Sequence, residues 1–316
     1  MTTQLSPDGF QTAIDAVAWE QFDRTELPDY LSVTNPMFFN QAAFTGIAHI
    51  WDESGNVGNF RETSEQEEIM SSDSRIGNQK VKRSLKYTKQ IPISDEAFRA
   101  DKVEMRSHIG FQVGDRARNT QDMEGILNSY GDAFAGSVNA TPDGVAPASN
   151  SHVTLTGVTV DNLETGSLSA DNLWTCTQSL AGQKGQDGDL GAQHFAAILV
   201  PFNLYRTAKE TMDSTLIPNS GENNINIFDT VYGQVSIKAS VQLTSTYNSA
   251  TNAATSYHLI SKNHGWTRRV FYGLETKLIP PENTANDTYA LRAKFHEATY
   301  PSTWTGYVGC SGNAAS

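Results

Sequence analysis

The stretch from residue 91 to residue 134 constrains the fold most, because it predicts one long amphipathic helix. Ser94 is a suitable N-cap, and Asp95 and Glu96 follow it in the first turn, where the helix dipole favours negative charge. A continuous helix from Ser94 to about Tyr130 would be roughly 55 Å long, at about 1.5 Å per residue. A rod of that length with a narrow apolar stripe needs another element packed along it.

The apolar side chains of this stretch recur at helical spacing, and they are Phe98, Met105, Ile109, Val113, Met123, Ile126 and Leu127. Gly110, Gly114 and Gly125 interrupt the pattern, and each weakens a helix by about 1 kcal/mol relative to alanine. We therefore expect a bend or a break near one of them. The alternative interpretation is an ordinary long helix of an α+β enzyme.

The composition indicates a β-rich and loop-rich protein rather than a compact enzyme. Of the 316 residues, 38% are hydrophobic and 18% charged, and 24 are glycine. The length allows one large domain or two modest ones. The formal net charge of −12 argues against a chain that wraps nucleic acid with its whole surface, although two local basic segments are present.

Cys176 and Cys310 are the only cysteines, and their wide separation predicts neither a disulfide framework nor a zinc site. Synthesis in the cytosol is the simplest inference from that usage. No run approaches 18 apolar residues, and the N-terminal sequence lacks the regions of a signal peptide. We expect no membrane segment, no metal and no cofactor.

Residues 1–50 predict an arm with a short helix around residues 11–21, followed by an extended aromatic segment. Phe38, Phe39 and Phe44 belong to that segment. Such large apolar groups must pack on the core of the same chain or on a neighbouring molecule.

Residues 52–90 predict a long two-stranded hairpin with limbs of opposite charge. One limb carries the acidic residues Glu62, Glu65, Glu67 and Glu68, and the other carries the basic residues Arg75, Lys80, Lys82, Arg83, Lys86 and Lys89. Residues 80–88 alternate with a period of two, which is typical of a single strand. The hairpin either lies on another surface or exposes its charges to solvent.

The second half of the chain predicts mixed helices and strands. Ser169 or Asp171 caps a helix, residues 196–200 form a buried strand, and a helix with Leu204, Ala208 and Met212 on one side follows Pro201. Strands are expected at residues 225–228, 235–243, 256–260, 270–279 and 289–295. The last segment predicts a surface strand that frays into a tail.

Three groups of residues are candidate functional sites. A pair of His152 with Ser149 or Ser151 lacks the spacing and motif of a catalytic triad, so a turn-capping histidine is favoured. Asp187 and Asp189 flank Gly188 without the remaining ligands of a calcium loop. A second basic run could touch nucleic acid or deter edge pairing, and it contains Lys262, His264, Arg268 and Arg269 beside Trp266.

Four motifs, taken in order, resemble the major capsid proteins of tailed bacteriophages, including Mu-like major head subunits. They are IPISDE at the helix start, DGVAPASNSH at residues 143–152, L-V-P-x-x-L-x-x-x-A at residues 199–208, and SYHLIS at residues 256–261. The chain departs from the family where Pro147 and Ala148 replace a Leu-Phe pair, and where Ser-Tyr replaces Trp-Tyr.

The resemblance implies an α+β chain of the Hong Kong 97-type fold. It assigns residues 1–50 to an N-terminal arm and 52–92 to the extended loop, a long β-hairpin. Residues 93–158 would form the peripheral domain with its spine helix, and 159–261 the axial domain. Residues 262–316 would return to the peripheral domain as strands and end in a tail.

The resemblance further implies a structural protein without enzymatic activity that assembles into pentamers and hexamers of an icosahedral head around double-stranded DNA. Its partners would be copies of itself, a separate scaffold, a portal and decoration proteins. It would be made in the host cytoplasm and reside in the virion. The alternatives are an encapsulin-like compartment shell of the same fold and a soluble hydrolase. The expected contacts between subunits are Phe38, Phe39, Phe44, Arg61, Glu65, Lys80, Lys82, Arg83, Lys86 and Lys89.

Overall fold

The computed structural model describes residues 7–23, 29–43, 46–55, 76–96, 103–216, 225–228, 235–245, 248, 254–281 and 288–312. The helices are α1 (Pro7–Phe22), α2 (Val103–Leu127), α3 (Ala170–Ala181) and α4 (Tyr205–Asp213), with short 3-10 turns at Tyr130–Asp132 and Phe202–Leu204. None of the helices described there is long and apolar enough to cross a membrane.

Most of the strands belong to two mixed sheets. The strands are β1 (Asn40–Ala43), β2 (Ala48–Ser54), β3 (Ile76–Arg83), β4 (Leu85–Ile93), β5 (His152–Val153), β6 (Thr159–Val160), β7 (Leu163–Glu164), β8 (Phe195–Pro201), β9 (Ser236–Ser240), β10 (Tyr257–Ser261), β11 (Trp266–Ile279), β12 (Tyr289–Pro301) and β13 (Tyr307–Cys310). One sheet has the order β1-β11-β12-β4 and the other β7-β13-β10-β8-β9, while β2-β3 and β5-β6 form separate pairs.

The long helix is present, and it runs without a break from Val103 to Leu127. The backbone is also helical at Asp95 and Glu96, whereas residues 97–102 lie outside the described part. The expectation of a bend or a break near a glycine of this helix is therefore wrong for the break, while the bend stays a prediction. Its glycines are instead explained by close packing of neighbouring elements.

Helix α1 lies against the glycine side of α2. A Cβ added at Gly110 would lie 3.0 Å from the carbonyl oxygen of Ile14, and one at Gly114 would lie 2.7 Å from Cβ of Gln21. The two helices thus approach through positions that have no side chain. Both helices bury apolar residues with the four-stranded sheet, and this cluster includes Ile14, Ala18, Phe22, Ile109, Val113, Leu274 and Leu291.

Residues 29–43, which we call the bridging segment, connect the two sheets. Near its start, the amide of Leu31 donates to the carbonyl of Ala239 in β9 at 2.8 Å. At its end, β1 pairs in parallel with β11. The predicted arm is therefore part of the core of its own chain over these residues.

A buried charge network fixes the bridging segment to α2. Arg118 forms an ion pair with Asp122 (Nε to Oδ2, 3.0 Å) and donates to the carbonyl of Phe22 at 3.0 Å. Asp122 in turn accepts from the Ser32 hydroxyl at 2.7 Å and from the Val33 amide at 3.0 Å. Because Arg118 is almost fully buried, removal of one partner would leave a charge unpaired.

The five-stranded sheet packs against α3, and several local predictions are confirmed there. The Ser169 side chain accepts from the amide of Asn172 and so caps α3. The expected buried strand is β8, and Ala208 and Met212 are buried on α4.

Two strand predictions are wrong. Residues 225–228 contain an isolated bridge and a helical turn, because the Asn226 side chain donates to the carbonyls of Thr211 and Ser214 and closes a turn. Strand β13 is no surface strand. It is buried between β7 and β10.

An aromatic cluster at the end of α2 fills the space between the sheets. Tyr130 donates to the carbonyl of Phe38 at 2.7 Å, and its ring centroid lies 4.7 Å from that of Trp266 and 5.4 Å from that of His258. Nδ1 of His258 is 2.7 Å from the Tyr307 hydroxyl. Burial lowers the pKa of His258 to about 3.

We expect Gly114→Ala to destabilise the protein by up to about 2 kcal/mol. The methyl group would force α1 away from α2 at a cost of about 1–3 kcal/mol, which is reduced by the roughly 1 kcal/mol gained in helix propensity. Urea unfolding monitored by circular dichroism measures the change. Arg116→Ala, on the exposed side of the same helix, is the control and should stay within about 0.5 kcal/mol of the parent. A stabilised Gly114→Ala protein would contradict the packing argument.

We expect His258 to make the folded protein sensitive to acid. An unfolded histidine has a pKa of about 6.5, so between about pH 6.5 and 3 the unfolded state binds more protons and the free energy of unfolding falls as pH falls, by roughly 1.4 kcal/mol per pH unit for one histidine. In His258→Asn this contribution disappears, so urea unfolding at pH 7.5, 6 and 5 should show a shallower decline. His108→Asn, at an exposed position, should decline in parallel with the parent.

Candidate subunit interface

The hairpin predicted in the first third of the chain consists of β2 and β3, which pair antiparallel from Ala48↔Arg83 to Ser54↔Ile76. It ends at Ser84, whose amide and hydroxyl both donate to the carbonyl of Ile47, at 2.9 and 3.0 Å. Strand β4 then pairs with β12 in the four-stranded sheet. The prediction of one strand over residues 80–88 is therefore wrong, and Lys86 and Lys89 lie on β4 and not on the hairpin.

One face of the hairpin, the inner face, packs on its own chain. His49, Trp51 and Glu53 alternate along β2 on this side, opposite Lys80 and Lys82 of β3. The Trp51 ring stacks on Tyr300 with centroids 4.2 Å apart, and its Nε1 donates to the carbonyl of Ser302 at 3.2 Å. The hairpin is thus held by ring stacking and polar contacts to β12 and the chain that follows it.

The two inner lysines bind backbone oxygens of residues 138–141. Lys80 donates to the carbonyls of Ala140 and Thr141, and Lys82 donates to the carbonyl of Val138 and to Oδ1 of Asn139. Burial lowers the pKa of both lysines, and in Lys82 the charge of Lys80 lowers it further. Their ammonium groups are therefore engaged within the chain, and their expected contact with a neighbouring subunit stays a prediction.

A buried polar cluster lies beneath the hairpin. Glu53 accepts from Gln186 at 3.2 Å and from Asn78 at 3.3 Å, and burial together with the nearby Asp143 raises its pKa. Nδ1 of His152 is 2.7 Å from Oδ2 of Asp143. Burial acts to raise the pKa of Asp143, but the hydrogen bonds from His152 and from the Thr141 hydroxyl outweigh it and lower that pKa.

The pairing of His152 with Asp143 leaves no serine–histidine couple. Nε2 of His152 faces the carbonyl of Pro147 at 3.3 Å, and the ring stacks on Trp304. The Ser149 hydroxyl lies 2.9 Å from the Ser151 hydroxyl instead. The geometry therefore favours the interpretation of His152 as a structural histidine.

The opposite face of the hairpin, the outer face, consists of Ala48, Ile50, Asp52, Gln79, Val81 and Arg83, which all are exposed. Ile50 and Val81 pair across the strands and are 56% and 52% exposed. The hairpin therefore turns its lysines inward and its branched apolar residues outward. In an isolated molecule these apolar side chains contribute no burial, whereas a second molecule that covers the outer face would bury them.

Two of the aromatic residues expected to contact a neighbouring subunit are not exposed in the way that the outer face is. Phe38 and Phe39 are fully buried in the cluster around Tyr130, so the prediction that they contact a neighbouring subunit is wrong. Phe44, Arg61 and Glu65 lie outside the described residues. Arg83, Lys86 and Lys89 are exposed, so they stay candidates for contacts between subunits.

A basic face covers one side of the four-stranded sheet. Register places Lys86 beside His296, and Arg292 beside Lys277 and Gln90, so these side chains share a face. Lys86, Lys277 and Arg292 line a shallow cleft of about 500 Å³, which is also lined by Gln11, Glu275, Thr276 and Lys294. Lys294 forms an ion pair with Glu275 at 2.8 Å. Lys89 lies three residues from Lys86 and therefore on the opposite face of β4.

The second basic run is not a binding face. Arg268 is buried and forms a two-pronged ion pair with Glu297, at 3.0 Å from Nε and 2.8 Å from Nη2. Arg269 donates to the Tyr300 hydroxyl at 2.9 Å, and His264 is buried. The suggestion that this run touches nucleic acid is therefore corrected, with only Lys262 of the four exposed. Among the residues that the structure describes, no group of His, Cys, Asp and Glu could hold a metal ion.

Comparison with solved structures finds matches over nearly the whole chain. The capsid of an empty GTA particle matches with a TM-score of 0.56 and 9% identity, over 92% of each chain. The capsid of Myoviridae phage XM1 matches with a TM-score of 0.52 and 10% identity, over 91% of this chain and 93% of that one. A chain from Mycobacterium phage Bobi matches with a TM-score of 0.52 and 12% identity, over 92% and 93%.

The fold is the Hong Kong 97-type capsid fold. The α+β class and the architecture expected from the sequence are thereby confirmed. No protein-family model matches the chain, and no curated protein matches it in sequence. At such low identity the fold is recognised by its backbone arrangement, from the long helix α2 to the hairpin and the two sheets.

We expect the double substitution Lys80→Met and Lys82→Met to release the hairpin from its own chain. It keeps the aliphatic stems but removes the hydrogen bonds to residues 138–141, worth roughly 1–2 kcal/mol together. Chymotrypsin cleavage after Trp51 should then accelerate about tenfold, because local opening becomes easier. Arg83→Met, on the outer face, is the matched control and should leave the cleavage rate unchanged. Equal rates in all three proteins would refute the docking role of the lysines.

Proposed function

We propose that this chain is the major capsid protein of a tailed bacteriophage, which assembles into pentamers and hexamers and closes into an icosahedral head around double-stranded DNA. The observation that carries the proposal is that the hairpin, on a chain with this fold, turns its lysines toward its own chain and its branched apolar residues toward solvent. Ile50 and Val81 need a covering surface, and copies of the chain itself supply one repeatedly in a closed lattice.

The charges of the chain fit the same proposal. Each exposed ion pair contributes little on its own, but a lattice repeats every pair many times. Arg83, Lys86 and Lys89 would face carboxylates of neighbouring copies, and the acidic residues between 62 and 68 are candidates for that role. The net charge of −12 suits a shell that encloses DNA without binding it tightly.

The remaining partners follow from the same role. A phage head of this kind would be built with a separate scaffold, would carry a portal at one vertex, and could add decoration proteins to its surface. The subunit would be made in the host cytoplasm, act without catalysis and remain in the virion.

We expect the purified chain to form capsomers or shells, and the double substitution Ile50→Asp and Val81→Asp to prevent closure. Two carboxylates on the outer face would have to be buried without partners, which is strongly unfavourable. Size-exclusion chromatography with light scattering, followed by negative-stain electron microscopy, measures assembly. Ile50→Val with Val81→Ile is the matched control, because it keeps the apolar area of the face, and it should assemble like the parent.

Several outcomes would contradict the proposal. A parent protein that stays monomeric at high concentration would overturn the assembly role itself. Complete shells from the aspartate variant would show that the outer face is not an interface. Shells that enclose a protein cargo when produced in cells, and that have no neighbouring portal gene, would favour the encapsulin-like alternative.

A further inference from the structure

We propose that Cys176 and Cys310 form a disulfide bond within the chain under oxidising conditions, which fastens the last strand to helix α3. The two residues are 134 positions apart in sequence, yet their sulfur atoms lie 2.6 Å apart. That separation is shorter than the roughly 3.5–4 Å of optimal contact between non-bonded heavy atoms. It exceeds the roughly 2.05 Å of a disulfide by only about half an ångström. The proposal goes beyond the capsid role and does not depend on assembly.

The fold holds the two cysteines in place from different layers. Cys176 lies on the buried side of α3, which packs on β13, β10 and β8. Cys310 lies on β13, where it pairs with Tyr257 of β10 and with Glu164 of β7. A bond between them would therefore join the helix layer to the sheet layer at the strand nearest the chain's C-terminal end.

The surroundings of the sulfur atoms favour a disulfide over other uses of a cysteine pair. Both residues are free thiols and essentially inaccessible, at 1% and 0% exposure, so neither is placed to attack a substrate. The Tyr257 hydroxyl lies 3.6 Å from Sγ of Cys176. Burial raises the pKa of Cys310, so the thiolate is scarce in the folded chain and reaction with external thiols or disulfides is slow.

The reaction balances with a small disulfide such as oxidised glutathione as the oxidant. One cysteine attacks it as a thiolate, which forms a mixed disulfide and releases one molecule of reduced glutathione. The second cysteine then attacks the protein sulfur of the mixed disulfide, which forms the Cys176–Cys310 bond and releases a second molecule. The two cysteines lose two protons and two electrons in total, and the glutathione disulfide gains them.

Burial determines when the bond can form. The oxidant reaches the sulfurs during folding or through local opening of β13, and afterwards the closed sheet shields the bond from reductant. The chain would remain reduced in a reducing compartment and become cross-linked outside it. The cross-link would restrict the unfolded chain over a long loop, so the oxidised form should resist unfolding better.

The test counts thiols in the full-length protein. One sample is refolded in reduced glutathione alone and another in a buffer rich in oxidised glutathione, and both are then denatured and treated with a maleimide–polyethylene glycol. The reduced sample should add two polymer chains and the oxidised sample none. The intact oxidised protein should be about 2 Da lighter, and non-reducing peptide mapping should recover the Cys176–Cys310 pair.

Matched variants give a second readout. The thermal unfolding midpoint of the oxidised parent should exceed that of the reduced parent by at least about 5 °C. In Cys176→Ser and in Cys310→Ser the two buffers should give the same midpoint, because one thiol cannot close the bond. Two free thiols after oxidative refolding, or only disulfides between chains, would overturn the proposal. Because the thiol count uses the parent protein, it stands even where a variant fails to fold.

Discussion

The bridging segment, residues 29–43, makes one unit out of the two sheets. Its start bonds to the edge strand β9, and its end adds strand β1 to the edge of the other sheet. Between these points Arg118 and Asp122 of α2 bind its backbone and side chains, and Phe38 and Phe39 fill the space beneath Tyr130. Without this segment β9 and β11 would each lose a hydrogen-bonding partner, and the aromatic cluster would be exposed to water.

The position of the bridging segment changes which apolar side chains remain exposed in the isolated chain. The aromatic side chains around residue 38 are buried within their own chain, so they do not need a second molecule to cover them. The outer face of the hairpin would be buried only by a second molecule, because Ile50 and Val81 remain exposed while Lys80 and Lys82 occupy the inner face. The case for assembly thus moves from the arm to the hairpin.

Local signals in the sequence predicted most of the helices and several of the strands. Ser169 caps α3 as expected, and β8 begins and ends within one residue of the predicted buried strand, because caps, prolines and apolar runs act on near neighbours. Contacts between residues far apart in sequence could not be predicted from such local signals. An aromatic run has the same sequence pattern whether it packs in the core of its own chain, as Phe39 does, or on another molecule.

Long-range pairing explains the remaining misses at the candidate site. The alternation over residues 80–88 is genuine, yet the bonds of Ser84 to Ile47 and to His296 divide it between two sheets. The contact of Cys176 with Cys310 depends on α3 lying across β13, which no spacing rule contains. The glycines of α2 were interpreted as weak points of a helix, whereas Gly110 and Gly114 allow the close approach of α1 and Gly125 that of Val33.

The kind of contact under each element determines which parts of the chain separate most easily. The bodies around both sheets bury apolar clusters, whose loss costs roughly 25 cal/mol for each Å² exposed. The hairpin instead rests on ring stacking, on lysine bonds to carbonyls and on the polar cluster of Glu53. Water can replace those hydrogen bonds at a net cost near 1 kcal/mol each. The hairpin is therefore held mainly by contacts that water can replace, and we expect it to open locally while both sheets stay folded.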